Sequence, residues 1–363
     1  MSTVDTVLNF SAGPAILPSA VLEQARADIL DLDGTGIGVM EHSHRGAAFT
    51  RVINEARETC RSVGAIPDEF EVLFLQGGAS TMFALLPLNL LPENRTADYI
   101  HTGAWTKKAI ADAGTIRSIN TIWDGSDCDF KHLPADEALQ HSDDPRYTYY
   151  CSNNTIYGTM WAQPPASRGW LINDASSEMF SRPIDWDRHD VVYAGAQKNL
   201  GPSGVTLVII RKTLLDAVNE AMPSMFRFDL HAKNDSCLNT PPTFGIHVMG
   251  LVFKWIQNEG GLEIMADRNR HKASVLYDAI DGSGGFYSGH ARTDCRSTMN
   301  VTFTCPSPEL DAAFLAEAED AGMRNLKGHR SIGGLRASIY NAFPEEGCRR
   351  LAHLMADFAD RNG

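Results

Sequence analysis

The sequence is short of positive charge: 32 Lys and Arg stand against 45 Asp and Glu, a formal net charge of −13 in 363 residues. That balance argues against nucleic acid or a membrane surface as a partner, because both need a basic face. Cysteine is sparse too. Seven are scattered with no Cys-x-x-Cys pair, which offers neither a zinc ribbon nor a thioredoxin-type motif and predicts buried, reduced thiols. No apolar run is long enough to span a bilayer, the densest being Val205–Ile210. The first ten residues carry Asp5 and no basic stretch ahead of an apolar one, so no signal peptide is read and a cytoplasmic protein is expected. Internal repeats and low-complexity tracts are also missing.

What remains is ordinary globular material, 43% hydrophobic and 21% charged, in a chain longer than one core usually fills. Short apolar runs ending in turn residues predict buried strands at Glu71–Gln76, Ala97–His101, Arg146–Ser152, Trp170–Asp174, Asp190–Ala194 and Val205–Arg211. Helical spacing predicts helices at Val21–Leu32, Ala48–Val63 and Phe244–Gln257, with an apolar helix starting near Thr81. Past Gly260-Gly261 the pattern changes. Helices are expected at Leu262–Ile280, Pro308–Ala321 and Pro344–Arg361, an exposed-edge strand at Ser297–Thr304 and a strand at Leu335–Tyr340. The expected fold is therefore α/β, with a large domain over 16–260 built on a mostly parallel mixed sheet flanked by helices. A smaller α+β domain would cover 261–363, joined by the N-terminal segment 1–15.

The strongest local feature is Tyr193-Ala-Gly-Ala-Gln-Lys198-Asn-Leu-Gly-Pro-Ser-Gly204, a strand running into a lysine and a Gly/Pro-rich turn. Covalent work on a carbonyl cofactor needs a partly desolvated amine, although a lone lysine in a loop is usually a surface residue. Asp174 ends a predicted strand, where it is either a helix cap or a carboxylate delivered to the ligand-binding edge of the sheet. In a pyridoxal-phosphate site such a carboxylate keeps the pyridine nitrogen protonated. Gln76-Gly77-Gly78-Ala79-Ser80 forms a small-residue turn suited to a phosphate at a helix N-terminus, without P-loop or dinucleotide spacing. Trp105, just past a strand, suits stacking on a flat ring or simple core packing. Two basic clusters, His42-Ser-His44-Arg45 and Lys327-Gly-His329-Arg330 with Arg336, are solvated charge or anion ligands. His42 and His44 lack a third ligand, so no metal is expected.

With these residues in hand the chain resembles the phosphoserine aminotransferase family of fold-type I pyridoxal-phosphate enzymes. The likeness is carried by Asn9–Pro14, Met40–Gly46, Gly77-Gly78, Ala97–Tyr99, Ser181–Asp185, Tyr193–Gly201, Asn239–Phe244, Leu326–Arg330 and Gly333–Asn341. It implies a reversible transamination between glutamate and 3-phosphooxypyruvate, and in some members an action on 4-phosphooxy-L-threonine. It further implies that Lys198 carries pyridoxal 5′-phosphate and shuttles the proton, that Asp174 pairs with the ring nitrogen and that Trp105 stacks on the ring. Ala79, Ser80 and Gln197 would hold the cofactor phosphate, and Thr155 would lie against the ring. Asn239 and Thr240 would reach the partner's cofactor in a homodimer. His44, Arg45, His329 and Arg330 would take the distal anion of the substrate, and Arg336 its α-carboxylate. Ala79-Ser80 stands where some members have Gly-Arg, which leaves backbone N–H groups and the Ser80 hydroxyl a larger share of the phosphate. Two rivals remain: an aminotransferase or lyase for another amino acid, which needs no distal-anion residues, and a silent protein on the same fold.

Overall fold

The computed structural model describes residues 7–363; residues 1–6 of the expected N-terminal segment lie outside them. Its main sheet has seven strands, in spatial order Phe70–Gln76, Val205–Arg211, Val191–Gly195, Trp170–Asp174, Tyr147–Cys151, Ala97–His101 and Ile119–Asp124. All run in one direction except Val205–Arg211, which is antiparallel to both neighbours. The strands are apolar on both sides because helices cover both faces. Alternation along each strand then sorts side chains between two cores. Val72, Phe74, Val192, Ala194, Leu207 and Ile209 pack with Phe49, Ile53, Val252 and Phe253 of the helices Ala47–Gly64 and Thr243–Asn258. Leu73, Leu75, Val191, Tyr193, Val208 and Ile210 pack with Met82, Phe83, Leu86 and Ala109 of the helices Ala79–Leu90 and Ala104–Gly114. Each large side chain at this depth is worth several kcal/mol, about 3–5 for truncating Phe253 to alanine.

A second layer system follows Gly260. A three-stranded antiparallel sheet, in order Ser288–Gly289, Asn300–Thr304, Leu335–Ser338, packs with the helices Gly261–Asp281, Pro308–Asp320 and Glu345–Asn362 over its own core. Leu8–Asn9 joins this part of the chain, pairing in parallel with Met323–Arg324.

Two expectations need correction, and one strand went unread. The strand at Asn300–Thr304 is central, not an exposed edge, and its polar residues Asn300 and Thr302 are buried because hydrogen bonds satisfy them. The helix expected near Thr81 starts at Ala79, which makes Ala79 and Ser80 its first residues. The strand Ile119–Asp124 was not anticipated: it lies at the sheet edge, and its polar, partly exposed residues give no apolar run. The seven thiols are free, five buried and two (Cys128 and Cys237) half-buried. Among the described residues no helix is long and apolar enough to cross a membrane.

Candidate active site

The parallel strands deliver their C-terminal ends to one edge. Cys151 lies opposite Asp174, and Asp174 opposite Tyr193. At that edge is a cavity of ≈ 140 Å³ lined by Gly77–Ser80, Trp105, Thr155, Asp174, Gln197 and Lys198, among others. Lys198, 9% exposed, donates from Nζ to Thr155 Oγ1 at 2.7 Å. Burial pushes its ammonium down to about 8, partly opposed by the charge of Asp174 and helped by that of Arg336. An amine so held is neutral often enough near neutral pH to act as a nucleophile. The N-terminal segment closes in behind it: a Cβ on Gly13, whose φ is +141°, would lie 3.5 Å from Lys198 Cγ.

Asp174 is 4% exposed. Its Oδ1 accepts from the Ser176 N–H at 3.0 Å and the Ser176 hydroxyl at 2.6 Å, which fixes the carboxylate; among the described residues no side chain or backbone group donates to Oδ2. Trp105 is 37% exposed, and its ring centroid lies 5.8 Å from Lys198 Nζ. The Thr106 hydroxyl accepts from the Thr102 and Gly103 N–H groups and so fixes the turn that presents this indole.

The fourth wall is the start of the helix Ala79–Leu90. Its first N–H groups have no carbonyl within the helix and carry the positive end of its dipole. Gly195 keeps this end open, since a Cβ there would lie 3.2 Å from Ala79 N and 2.8 Å from Gln197 Oε1. Lys108 Nζ reaches Ser80 Oγ at 3.4 Å, adding a cation. The residues therefore fit pyridoxal 5′-phosphate: an anion cradle, an indole face, a carboxylate with one free oxygen and a neutralisable amine surround a single cavity. Among the described residues no cluster of metal-ligating side chains occurs.

The anion groups divide. Arg336 is half-buried and donates from Nη1 to the Thr155 carbonyl at 3.4 Å, so Thr155 ties it to Lys198. His329 lies near Arg336 and Arg330; burial, then those two charges, lower its pKa. None of Arg336, His329, Arg330, His44, Arg45, Asn239 and Thr240 is among the described residues lining the Lys198 cavity; Arg336 alone of them bonds to a lining residue, Thr155. Arg45 lies near Cys237, whose thiol it influences, beside the Asn239-Thr240 segment. Thr240 approaches only the rim, where its carbonyl accepts from Gln76 Nε2 at 3.4 Å.

Sequence reasoning missed Asn153, Ser177 and Tyr340. Asn153 Nδ2 donates to Ser177 Oγ at 2.7 Å and Asn300 Oδ1 at 2.8 Å, tying the cavity floor to the C-terminal sheet. Tyr340 OH donates to the Ala12 carbonyl at 2.9 Å. The polar run Ser152-Asn-Asn-Thr155, directly after a buried strand, was the available signal for Asn153.

The fold and this site define a pyridoxal-phosphate-dependent aminotransferase: the class-V aminotransferase family model matches residues 7–351. A curated phosphoserine aminotransferase of Herpetosiphon aurantiacus is 51% identical, with 99% of this chain and 100% of that protein covered. The crystal structure of phosphoserine aminotransferase from Bacillus circulans subsp. alkalophilus superposes with a TM-score of 0.97 at 46% identity, covering 99% and 100% of the two chains. A PLP-bound phosphoserine aminotransferase from Trichomonas vaginalis gives 0.92 at 37% identity, covering 96% and 99%. Within class V, the chain belongs to the phosphoserine aminotransferase family.

Proposed function

We propose that the protein transfers an amino group reversibly between glutamate and 3-phosphooxypyruvate, giving 2-oxoglutarate and O-phospho-L-serine, in serine biosynthesis. The observation that carries this reading is the buried Lys198 amine, held by Thr155 in one cavity with Asp174, Trp105 and a helix N-terminus. Pyridoxal 5′-phosphate, when bound, supplies the electron-withdrawing ring that accepts the electron pair of the substrate α-carbon. Lys198 anchors it, then serves as the base whose Nζ takes the α-proton and returns it. Asp174 would pair through its second oxygen with the ring nitrogen, and Trp105 would lie against the ring. Ala79, Ser80 and Gln197 hold the phosphate, and Thr155 orients the lysine.

Both substrates carry an α-carboxylate and a second anionic end. Arg336, bonded to the Thr155 carbonyl, would take the first; His329, which lies near both Arg336 and Arg330, would take the second together with Arg330. Donors fixed at both ends orient the α-proton toward Lys198. His44, Arg45, Asn239 and Thr240 belong, in this reading, to the partner's site in a cytoplasmic homodimer. The sharing is tested by mixing inactive Lys198→Ala with an Asn239→Ala/Thr240→Ala variant, which should regain activity only if sites are composite. The same anion pattern suits 4-phosphooxy-L-threonine, and pyridoxine biosynthesis is a second proposed use. The experiment for the main reading is a half-reaction: glutamate added to holoprotein should bleach the visible cofactor absorption and release 2-oxoglutarate, and phosphooxypyruvate should restore it. A holoprotein inert to glutamate removes the proposal.

A further inference from the structure

The helix Gly261–Asp281 carries a second deeply buried lysine, outside the cavity. Lys272 is 3% exposed, and its ammonium donates to three carbonyls at one turn: Ile339 at 3.0 Å, Tyr340 at 2.7 Å and Phe343 at 3.2 Å. One turn back on the same helix, Asn269 Nδ2 donates to Asn341 Oδ1 at 2.8 Å and to the Ser181 carbonyl at 3.0 Å. The turn at 339–343 is thus gripped from one helix face by an ammonium and an amide. It is in turn bonded to the site from two sides. Asn341 N–H donates to Asn199 Oδ1 at 3.0 Å, the side chain next in sequence to Lys198. Tyr340 OH donates to the Ala12 carbonyl, next to Gly13, which packs on the Lys198 stem.

We propose that Lys272 is a positioning residue for the transamination: it holds the 339–343 turn so that Asn341 and Tyr340 fix the backbone and stem of Lys198 from the C-terminal half of the chain. The inference rests on the proposed role of Lys198. Three carbonyl acceptors converging on one ammonium are more than a stray lysine needs for burial; they use every N–H it has. Burial disfavours this charge, so the group is retained against a desolvation penalty, and the carbonyls offset that penalty only in this one geometry. Cys348 and Glu345 of the C-terminal helix and Arg268 of its own helix are the other titratable groups that act on it. Tyr340 also lies against Thr155, the partner of Lys198 Nζ, so the turn acts through Thr155 as well as through Asn199 and Ala12-Gly13.

The test uses holoenzyme of Lys272→Met and, separately, Asn199→Ala, which cuts the link nearest Lys198. The pH midpoint of the holoenzyme's visible absorption should move by about 0.5 pH in both, since it reports the surroundings of the Lys198 nitrogen. kcat should fall about tenfold with KM for glutamate little changed, as expected for a misplaced reacting group. The double variant should lose no more than Lys272→Met alone, because Asn199→Ala cuts one of the links that depend on the turn Lys272 holds. An unmoved midpoint and full kcat in Lys272→Met, at a temperature where it is folded, overturn the proposal, and so do strictly additive losses. Should Lys272→Met fail to fold, an unmoved midpoint in the Asn199→Ala/Tyr340→Phe double variant, which cuts both links, is decisive against it. Wild-type protein that fails the glutamate half-reaction indicts the role of Lys198 instead, so the two failures are distinguishable.

Discussion

Lys198 and Lys272 are both buried, and burial pushes both ammonium groups down to about 8, yet the two regions around them are built for different ends. Lys198 has one hydroxyl partner, an open cavity on its far side and a carboxylate within electrostatic reach. Lys272 has three carbonyl partners and lines none of the cavities described around the site. Desolvation lowers a lysine pKa wherever it acts; whether the amine is then free to react depends on what else its nitrogen touches. A nitrogen whose three N–H bonds are all accepted is fixed, and one with a single hydroxyl partner is available.

The comparison breaks most sharply at Lys198→Ala. Turnover should fall by about 10⁴-fold or more, with loss of the cofactor's characteristic visible absorption, since both anchor and base are gone. Full turnover in that variant would remove the mechanism. Asp174→Asn comes next, with kcat down about 10²–10³-fold, as for other losses of a buried charge-stabilising group, while cofactor is retained. Arg336→Ala should raise KM for glutamate about 10–100-fold, matching about 1.5–3 kcal/mol for a charge-assisted hydrogen bond, with little change in melting temperature. Arg330→Ala should do the same selectively for phosphorylated substrate; an equal loss on an unphosphorylated one would count against its assignment. The smallest effect concerns pH. Below about 8 the Lys198 amine is mostly protonated, so the rate at which apoprotein captures pyridoxal 5′-phosphate should fall about tenfold per pH unit below that point and level off above it. Asp174 holds that pKa up. Apo Asp174→Asn should therefore capture cofactor faster than wild type at pH 7, although it turns over more slowly; stopped-flow absorbance decides it.

Much of this was legible in sequence where burial is uniform. Val205–Arg211 and Trp170–Asp174 are largely apolar runs ending in a charged residue, and their expected bounds match the observed strands. Ile119–Asp124 escaped because an edge strand leaves polar side chains in solvent, and Asn300–Thr304 was misplaced because buried hydrogen bonds make a central strand look exposed. The cavity residues Lys198, Asp174 and Trp105 stood out because each ends a strand or follows closely on one. Asn153 and Tyr340 did not, since their partners, Asn300 and Ala12, lie far away along the chain.

Sequence alone determined which chemistry was available: an amine after a strand, a carboxylate ending another, glycines before a helix, and arginines for two anions. Each follows from local residue type and period, which do not depend on distant contacts. Only tertiary structure decided which amine reacts and which merely grips. The sheet brings Lys198, Thr155 and Asp174 to one edge, and helix packing brings three carbonyls around Lys272. A lysine's protonation and freedom are set by groups tens to hundreds of residues away, and no pattern along the chain records those distances.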